Sequence, residues 1–361
     1  MSRIISVKTR IVDTPILTEI KTTYGSWSRQ SHVIVKITTE DGTYGLGESS
    51  PLEFFTGESP DMVKMVIDQI LTTVLIGKDP FDIEALLLAM DRRLPKNASS
   101  KSAMDGALHD LVGKLLGIPV YRLLGGRCRQ GLITAATAVG IDTPDKMRKE
   151  ARGWVEKGFR TLKLKIGIDP KTDEQSIEAV RDAVGKDIRI RVDANQGYSA
   201  NTAIQVAKNI EKYTPEYIEQ PVPAWDIEGM AHVRRSVNIP IAADESLYSP
   251  YDAMRLIRAE AVDVFGIKFI KTGGLARAKK IANLAEASGI ECVVISPIET
   301  ALGTAAGAHW ALSVPNANVD HELVGPLFIQ DSYFEGIEII GHSIEVSDRP
   351  GVGISLKKNL F

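Results

Sequence analysis

Six charged residues stand at or near the ends of five short apolar runs between residues 161 and 271. They are Lys163 and Lys165 in TLKLKIG, Asp193 in IRIRVDAN, Glu219 in YIEQPV, Asp244 in IPIAADES and Lys268 in VDVFGIKFIK. From Lys165 onward the intervals between them are 28, 26, 25 and 24 residues. Three carboxylates brought to one point repel each other unless a cation compensates them, and oxygen-only ligation favours Mg²⁺ or Mn²⁺. Lysines before and after the acidic set would flank that ion. A lysine near other cations, or partly desolvated, gives up its proton more easily and can serve as a base near neutral pH.

Each interval has room for one strand, one loop and one helix, which is a βα repeat. Between the runs lie DEQSIEAVRDAV, NTAIQVAKNIEKY, SPYDAMRLIRA and LARAKKIANLAEASG, with apolar residues recurring at three and four. Strands alternating with helices predict a parallel sheet closed into a barrel, whose strand ends face one mouth. LITAATAVG, 132–140, reads as the first barrel strand, ECVVISPIET as the seventh, ending near Ser296, and NVDHEL as the eighth. Lys163 and Lys165, two apart on a strand, point to one side, whereas Lys271 lies an odd number of residues from Lys268 and reads as a solvent or loop lysine. A single acid at a strand end often caps the next helix. Three in register, followed by a lysine, point instead to a shared site. Asn195, Gln220 and Glu245 stand beside the acids and are candidates to orient them.

This order of residues resembles the enolase superfamily, and within it the muconate lactonizing enzyme subgroup of the mandelate racemase/muconate lactonizing enzyme family. DANQGY around Asp193, IEQP around Glu219, ADES around Asp244 and KFIKTGG from Lys268 carry the resemblance, which runs through almost the whole chain. It implies a modified TIM barrel, (β/α)7β, with an α+β N-terminal capping domain. It also implies one Mg²⁺ or Mn²⁺ on Asp193, Glu219 and Asp244, with Lys165 as acid/base, Lys268 across the mouth, and Lys163 in electrostatic support or on the substrate carboxylate. The reaction so implied removes a proton beside a carboxylate and stabilises the enediolate with metal and lysines. Racemisation, epimerisation, elimination and cycloisomerisation can all follow from that half-reaction.

The capping loops and strands seven and eight would choose among these outcomes, through Tyr24, Trp27, Phe54, Phe55, Ser296, Ile298, Glu299 and Glu322. HELVGPLF is similar to an ELFGPL-like segment of muconate lactonizing enzymes, and FTGESPD is similar to their second loop. Cycloisomerisation of cis,cis-muconate or a substituted relative is therefore the first expectation. The alternative is a dipeptide epimerase, or an N-acylamino acid racemase/o-succinylbenzoate synthase-like enzyme. Dipeptide epimerases carry an Asp-x-Asp on the eighth strand for the substrate ammonium; here Asp320-His321-Glu322 stands two residues further from the following Pro-Leu. Glu299 is open between a substrate contact, as in a MIET-like string, and a helix N-terminal acid. A third expectation, from another class, is a non-catalytic barrel that merely binds a small acid.

Length and composition agree with an enzyme of two units. The chain has 361 residues, 44% hydrophobic and 25% charged, with net charge −3. Near neutrality without a basic run argues against nucleic acid, and no apolar stretch approaches membrane-spanning length. A cytoplasmic protein acting on a small-molecule carboxylate, and forming a homo-oligomer as relatives of the resembled family do, is expected. Cys128 and Cys292 have no ligand spacing, and His32 and His109 read as structural. Strands at 3–13 and 32–37 and a third after an Asp-Gly turn, then three helical patterns, give an α+β capping domain over 1–128, completed by about 335–361. The barrel occupies 129–334. Two of the capping loops, 22–30 and 50–59, hold the aromatics, which either cover the mouth or fill the interdomain core.

Overall fold

The structure, a computed structural model, describes residues 2–18, 21–133 and 136–361. The N-terminal third begins with an antiparallel sheet of β1 (Ile4–Pro15), β2 (Arg29–Thr39) and β3 (Tyr44–Ser49). The Asp41-Gly42 turn joins β2 to β3, with Gly42 at φ 84°. Alternation on β2 feeds two cores: Val33, Val35 and Ile37 pack with the helix Ala98–Leu116, while Ile34 joins Leu46 in the larger cluster shared with the barrel. Gly45 and Gly47 let β3 approach that helix closely. A Cβ on them would stand 2.1 Å and 2.0 Å from the carbonyl oxygens of Ala107 and Ala103.

The barrel strands differ from the expectation at both ends. β4 (Leu132–Ile133) pairs antiparallel with a C-terminal strand, and the first barrel strand is β5 (Ala136–Val139), parallel to β6 (Thr161–Lys165). Residues 134 and 135 of the expected 132–140 strand lie outside the described residues. The sheet continues in chain order through β7 (Arg189–Asp193), β8 (Ile218–Glu219), β9 (Ile241–Ala243), β10 (Val264–Ile267) and β11 (Glu291–Val294), every pairing parallel. Helices on the outer face leave these strands buried on both sides, which explains why they read as continuous apolar runs. The seventh strand stops at Val294, short of Ser296. Segment 318–323 adds a single parallel bridge, with the Glu322 N–H donating to Val294 O at 2.8 Å, because its side chains bond across the barrel rather than its backbone along a ladder.

Those cross-barrel contacts show how far the sheet is rolled. Thr161 and Lys163 of the second strand meet Asp320 and Glu322 of the eighth segment. At the C-terminus, β12 (Phe334–Glu335) pairs with β15 (Ser355–Leu356), and β13 (Glu338–Ile340) with β14 (Ser343–Glu345), which also holds β4. The tail returns to the N-terminal third: Val120 N–H donates to Gly351 O, and Asp110 accepts from the backbone N–H groups of Leu46 and Val352. No helix among the described residues is long and apolar enough to cross a membrane.

Candidate active site

The loops after β7, β8 and β9 free their carboxylates from helix duty. The following helices, Ala200–Ile210, Ile227–Ser236 and Pro250–Arg258, are capped by the side chains of Ser199, Asp226 and Ser249. Asp193, Glu219 and Asp244 are therefore not caps; all three are fully buried at the mouth end of the barrel. The chain just beyond them is held at positive φ in Asn195, Gln196 and Gln220, a conformation that costs energy and clusters at functional sites.

Ammonium groups knit the carboxylates together. Lys163 Nζ donates to Glu219 Oε1 at 2.7 Å and Glu322 Oε2 at 3.0 Å, and stands 3.2 Å from Asp193 Oδ2. Lys165 Nζ donates to Asp193 Oδ2 at 2.6 Å and to Asn195 Oδ1 at 3.3 Å. Lys268 and Lys271 both donate to the Asp244 carboxylate. The placing of Lys271 corrects the expectation of a solvent lysine. The strand ends at Ile267 and the chain turns into a single helical turn, Phe269–Thr272, so residues 268 and 271 share a face and Lys271 is fully buried.

The charges at this centre follow from burial and pairing. Burial alone would raise Asp244, but the ammonium groups of Lys268 and Lys271 outweigh it and bring the carboxyl down to about 2. Asp193 is held below its ordinary range against burial by Lys165 and Lys163. Glu219 goes the other way, raised by burial and then by the Asp193 charge. Lys163 and Lys268 are raised, since neighbouring carboxylates, led by Glu219 and by Asp244 respectively, overcome burial. For these two lysines the acids they pair with outweigh the desolvation on which the expectation of easy deprotonation rested. Lys271 is lowered, by its burial.

Do these residues suit a divalent cation? As they stand, no three acidic, imidazole or thiol groups among the described residues form a ready cage, because lysines fill the gaps between carboxylates. The donor set nonetheless fits. It is all oxygen, it comes from three consecutive strand ends, and Glu219 Oε2 is buried with no hydrogen-bond partner. The neighbours hold it rigid. Gln220 Oε1 accepts from the N–H groups of Asp244 and Ser246 at 3.1 and 3.0 Å, Asn195 N–H donates to Asp193 Oδ1 at 2.9 Å, and Asn195 Nδ2 donates to Glu245 Oε1 at 3.1 Å.

Above this centre opens a cleft with a cavity volume of about 70 Å³. Its floor carries Lys163, Lys165, Asn195, Lys268 and Glu322; its walls are Tyr24, Trp27, Phe54, Phe55, Ser296 and Ile298. The aromatics thus cover the mouth, with Tyr24 and Trp27 against Phe54 at ring separations of 4.9 and 5.2 Å. Ile298 sits at φ 62°, an outlier for a β-branched residue. Glu299 does not line the cleft, contrary to its placing among substrate contacts. It accepts from Ser296 Oγ and Thr304 Oγ1 beside the helix Ala301–Leu312, and it borders a smaller interdomain cavity with Glu48. Thr22, Leu52, Ile295 and Pro297 also line the cleft. Thr22 and Leu52 fall inside the two expected loops; Ile295 and Pro297 lacked any polar signal.

Family descriptions match in two blocks, "Mandelate racemase / muconate lactonizing enzyme, N-terminal domain" over residues 4–125 and "Enolase C-terminal domain-like" over 146–360. The chain belongs to the mandelate racemase/muconate lactonizing enzyme family of the enolase superfamily. It is similar to the L-Ala-D/L-Glu epimerase of Bacillus subtilis (strain 168), at 36% identity over 98% of this chain and 96% of that protein. The structure of a substrate-liganded complex of that epimerase superposes with a TM-score of 0.95, covering 98% of each chain. The Enterococcus faecalis V583 dipeptide epimerase, solved with Mg and the dipeptide L-Leu-L-Tyr, matches with 34% identity, a TM-score of 0.94 and coverage of 98% and 99%. Muconate cycloisomerase 1 of Rhodococcus opacus is 32% identical over 98% of this chain and 96% of that protein. Like these members of the superfamily, the chain is an isomerase with a TIM-barrel core and an antiparallel N-terminal sheet.

Proposed function

We propose that the chain is a Mg²⁺-dependent dipeptide epimerase, which inverts the α-carbon next to a free carboxylate. One observation carries the reading: Lys165 and Lys268 reach the cleft floor from strand ends separated by the three buried carboxylates. A carbon held between two such groups can lose a proton to one and regain it from the other, on the opposite face. Asp193, Glu219 and Asp244 would hold the cation, which supplies positive charge against the paired oxygens of an enediolate. Lys163 adds cationic charge at the floor, and Asn195, Gln220 and Glu245 orient the groups around it. Tyr24, Trp27, Phe54, Phe55 and Ile298 shield the reacting carbon from water and favour an apolar side chain.

The higher identity with an L-Ala-D/L-Glu epimerase than with a cycloisomerase supports epimerisation over the muconate reaction first expected. A second reading is an N-acylamino acid, whose nitrogen carries no charge. It is favoured by the eighth segment, where Asp320 is bound to Thr161 and Arg189 at the barrel base and Glu322 to Lys163, so no free carboxylate pair faces an ammonium. The division into a capping unit, 1–128 with 335–361, and a barrel, 129–334, belongs to the same proposal, as does homo-oligomer formation. The hydrogen bonds from the C-terminal tail to residues 110, 118 and 120 support the first of these.

The test is α-proton exchange in D₂O, followed by proton NMR with Mg²⁺ on L-Ala-L-Phe, L-Leu-L-Tyr and L-Ala-L-Glu, and in parallel on N-succinyl-phenylalanine. Loss of ultraviolet absorbance of cis,cis-muconate is followed beside them. Exchange with epimer formation on a dipeptide is expected. Metal-dependent consumption of muconate with no exchange on any peptide would overturn the reading.

A further inference from the structure

The loop at residues 22–30 meets the barrel through hydroxyl groups rather than through its aromatic faces alone. Its tip is a closed turn, with Thr22 and Gly25 exchanging backbone hydrogen bonds of 3.0 and 3.1 Å and Gly25 at φ 105°. That turn presents two hydroxyls to the barrel. Thr23 Oγ1 donates to the Asn195 carbonyl at 3.0 Å, and Tyr24 OH donates to Glu245 Oε1 at 2.8 Å while accepting from Gln196 Nε2. Asn195 Nδ2 donates to the same Glu245 oxygen, and Asn195 Oδ1 accepts from Lys165 Nζ. A continuous chain of hydrogen bonds therefore runs from Tyr24 through Glu245 and Asn195 to Lys165. On the other side of the cleft Lys268 is not hydrogen-bonded into this chain; it bonds Asp244 and lies under the Phe55 ring, and Glu245 acts on it through charge alone.

We propose that Tyr24 is a positioning residue whose hydroxyl seats the 22–30 loop on Glu245 and thereby sets Asn195 against Lys165, but not against Lys268. The seating depends only on the contacts above; its effect on turnover rests on the epimerase reading. Asn195 and Gln196 both have positive φ, so the backbone here is held by its surroundings and responds when a restraint is removed. The ring of Tyr24 packs on Phe54 and Phe55 independently of the hydroxyl, which makes Tyr24→Phe a deletion of one oxygen with the apolar cover kept.

The experiment compares wild type and Tyr24→Phe, with equal melting temperatures showing that the variant is folded. Backbone hydrogen–deuterium exchange of the substrate-free protein should quicken several-fold in Tyr24→Phe within 21–28 and 194–198, and nowhere else in the barrel. With L-Ala-L-Phe and L-Ala-D-Phe as probes, α-proton exchange should fall about ten-fold for one stereoisomer, the size of one hydrogen bond to a charged group. That stereoisomer should be the one whose exchange disappears in Lys165→Ala, and the other should change less than about two-fold. Unchanged backbone exchange would overturn the seating, whatever the protein catalyses. Faster backbone exchange with an equal fall for both stereoisomers would overturn the link to Lys165. If wild type exchanges neither Ala-Phe isomer, the pair is replaced by the stereoisomers of the dipeptide it does exchange; with no exchange on any dipeptide the epimerase reading fails, and the backbone measurement still decides the seating.

Discussion

The ring of Phe55 covers the ammonium of Lys268, with Nζ 4.1 Å from the ring centroid. A cation over a π face, shielded from water, is stabilised by about 1–2 kcal/mol. The loop that carries Phe55 is tied down by Tyr248, whose hydroxyl donates to the Phe55 carbonyl.

Phe55→Leu keeps apolar cover but loses the π face, and Phe55→Ala loses both. Turnover of the best dipeptide should fall modestly in the first and about ten-fold or more in the second, as water reaches Lys268. Steady-state kinetics checks this; a fall as large in Phe55→Leu as in Phe55→Ala would show that the π face, and not the exclusion of water, carries the effect.

Mg²⁺ should stabilise the folded chain through its carboxylates, and the rise in melting temperature should grow with concentration. At a hundred times the dissociation constant the gain is about 2.7 kcal/mol. Glu219→Gln, which takes away a buried anionic donor, should abolish the rise. Calorimetric titration of both proteins is the check, and a full Mg²⁺ response in Glu219→Gln would remove Glu219 from the donor set.

Two buried histidines should cost stability as the pH falls. Burial pushes His321 down to about 3 and His309 down to about 4, and each uses Nδ1 to accept a backbone N–H, from Val294 and Tyr121. Both are neutral in the fold, whereas in the unfolded chain each takes up a proton as pH falls below about 6.5. At these two groups the unfolded state therefore binds more protons in this range, and the stability they contribute above pH 6.5 is lost toward pH 3. Glu150 and Glu245, each raised to about 7 by burial, act in the opposite sense, so the histidine contribution is read by difference: in urea denaturation between pH 7 and 4.5, His321→Gln should lose less stability than wild type, by on the order of 2–3 kcal/mol.

Two glycines at one contact should respond in opposite ways. Gly47→Ala would drive a Cβ into the Ala103 carbonyl and should cost about 3 kcal/mol or more. Gly106→Ala, on the facing helix, meets only Gly47 Cα at 3.7 Å, and should be neutral or stabilising by up to about 1 kcal/mol. Denaturant midpoints decide; similar losses for both would mean that the helix and strand are not so closely apposed.

The barrel centre was legible because βα units repeat and each strand end carries a charge, so Lys165, Asp193, Glu219, Asp244 and Lys268 could be placed by spacing alone. Lys271 was misread because strand parity was carried past Ile267, where the backbone had become helical. Glu299 was open between a substrate contact and a helix N-terminal acid; the seventh strand stops at Val294, and Glu299 stands beside the N-terminus of Ala301–Leu312, bonded to Ser296 and Thr304. The raised lysines were hidden for another reason. Spacing shows which cations converge, but not which carboxylate each one finds, and Lys163 touches acids from β7, β8 and the eighth segment at once.

Asp110 holds Leu46 with one oxygen and Val352 with the other, and it is fully buried. During synthesis the first of these partners emerges long before the second. Until residue 352 leaves the ribosome, the helix Ala98–Leu116 carries a carboxylate oxygen lacking its native donor, and the N-terminal third stays short of its final stability. Completion of the N-terminal core thus waits on residue 352, and a chain ending before that residue should be less stable although it contains the entire barrel.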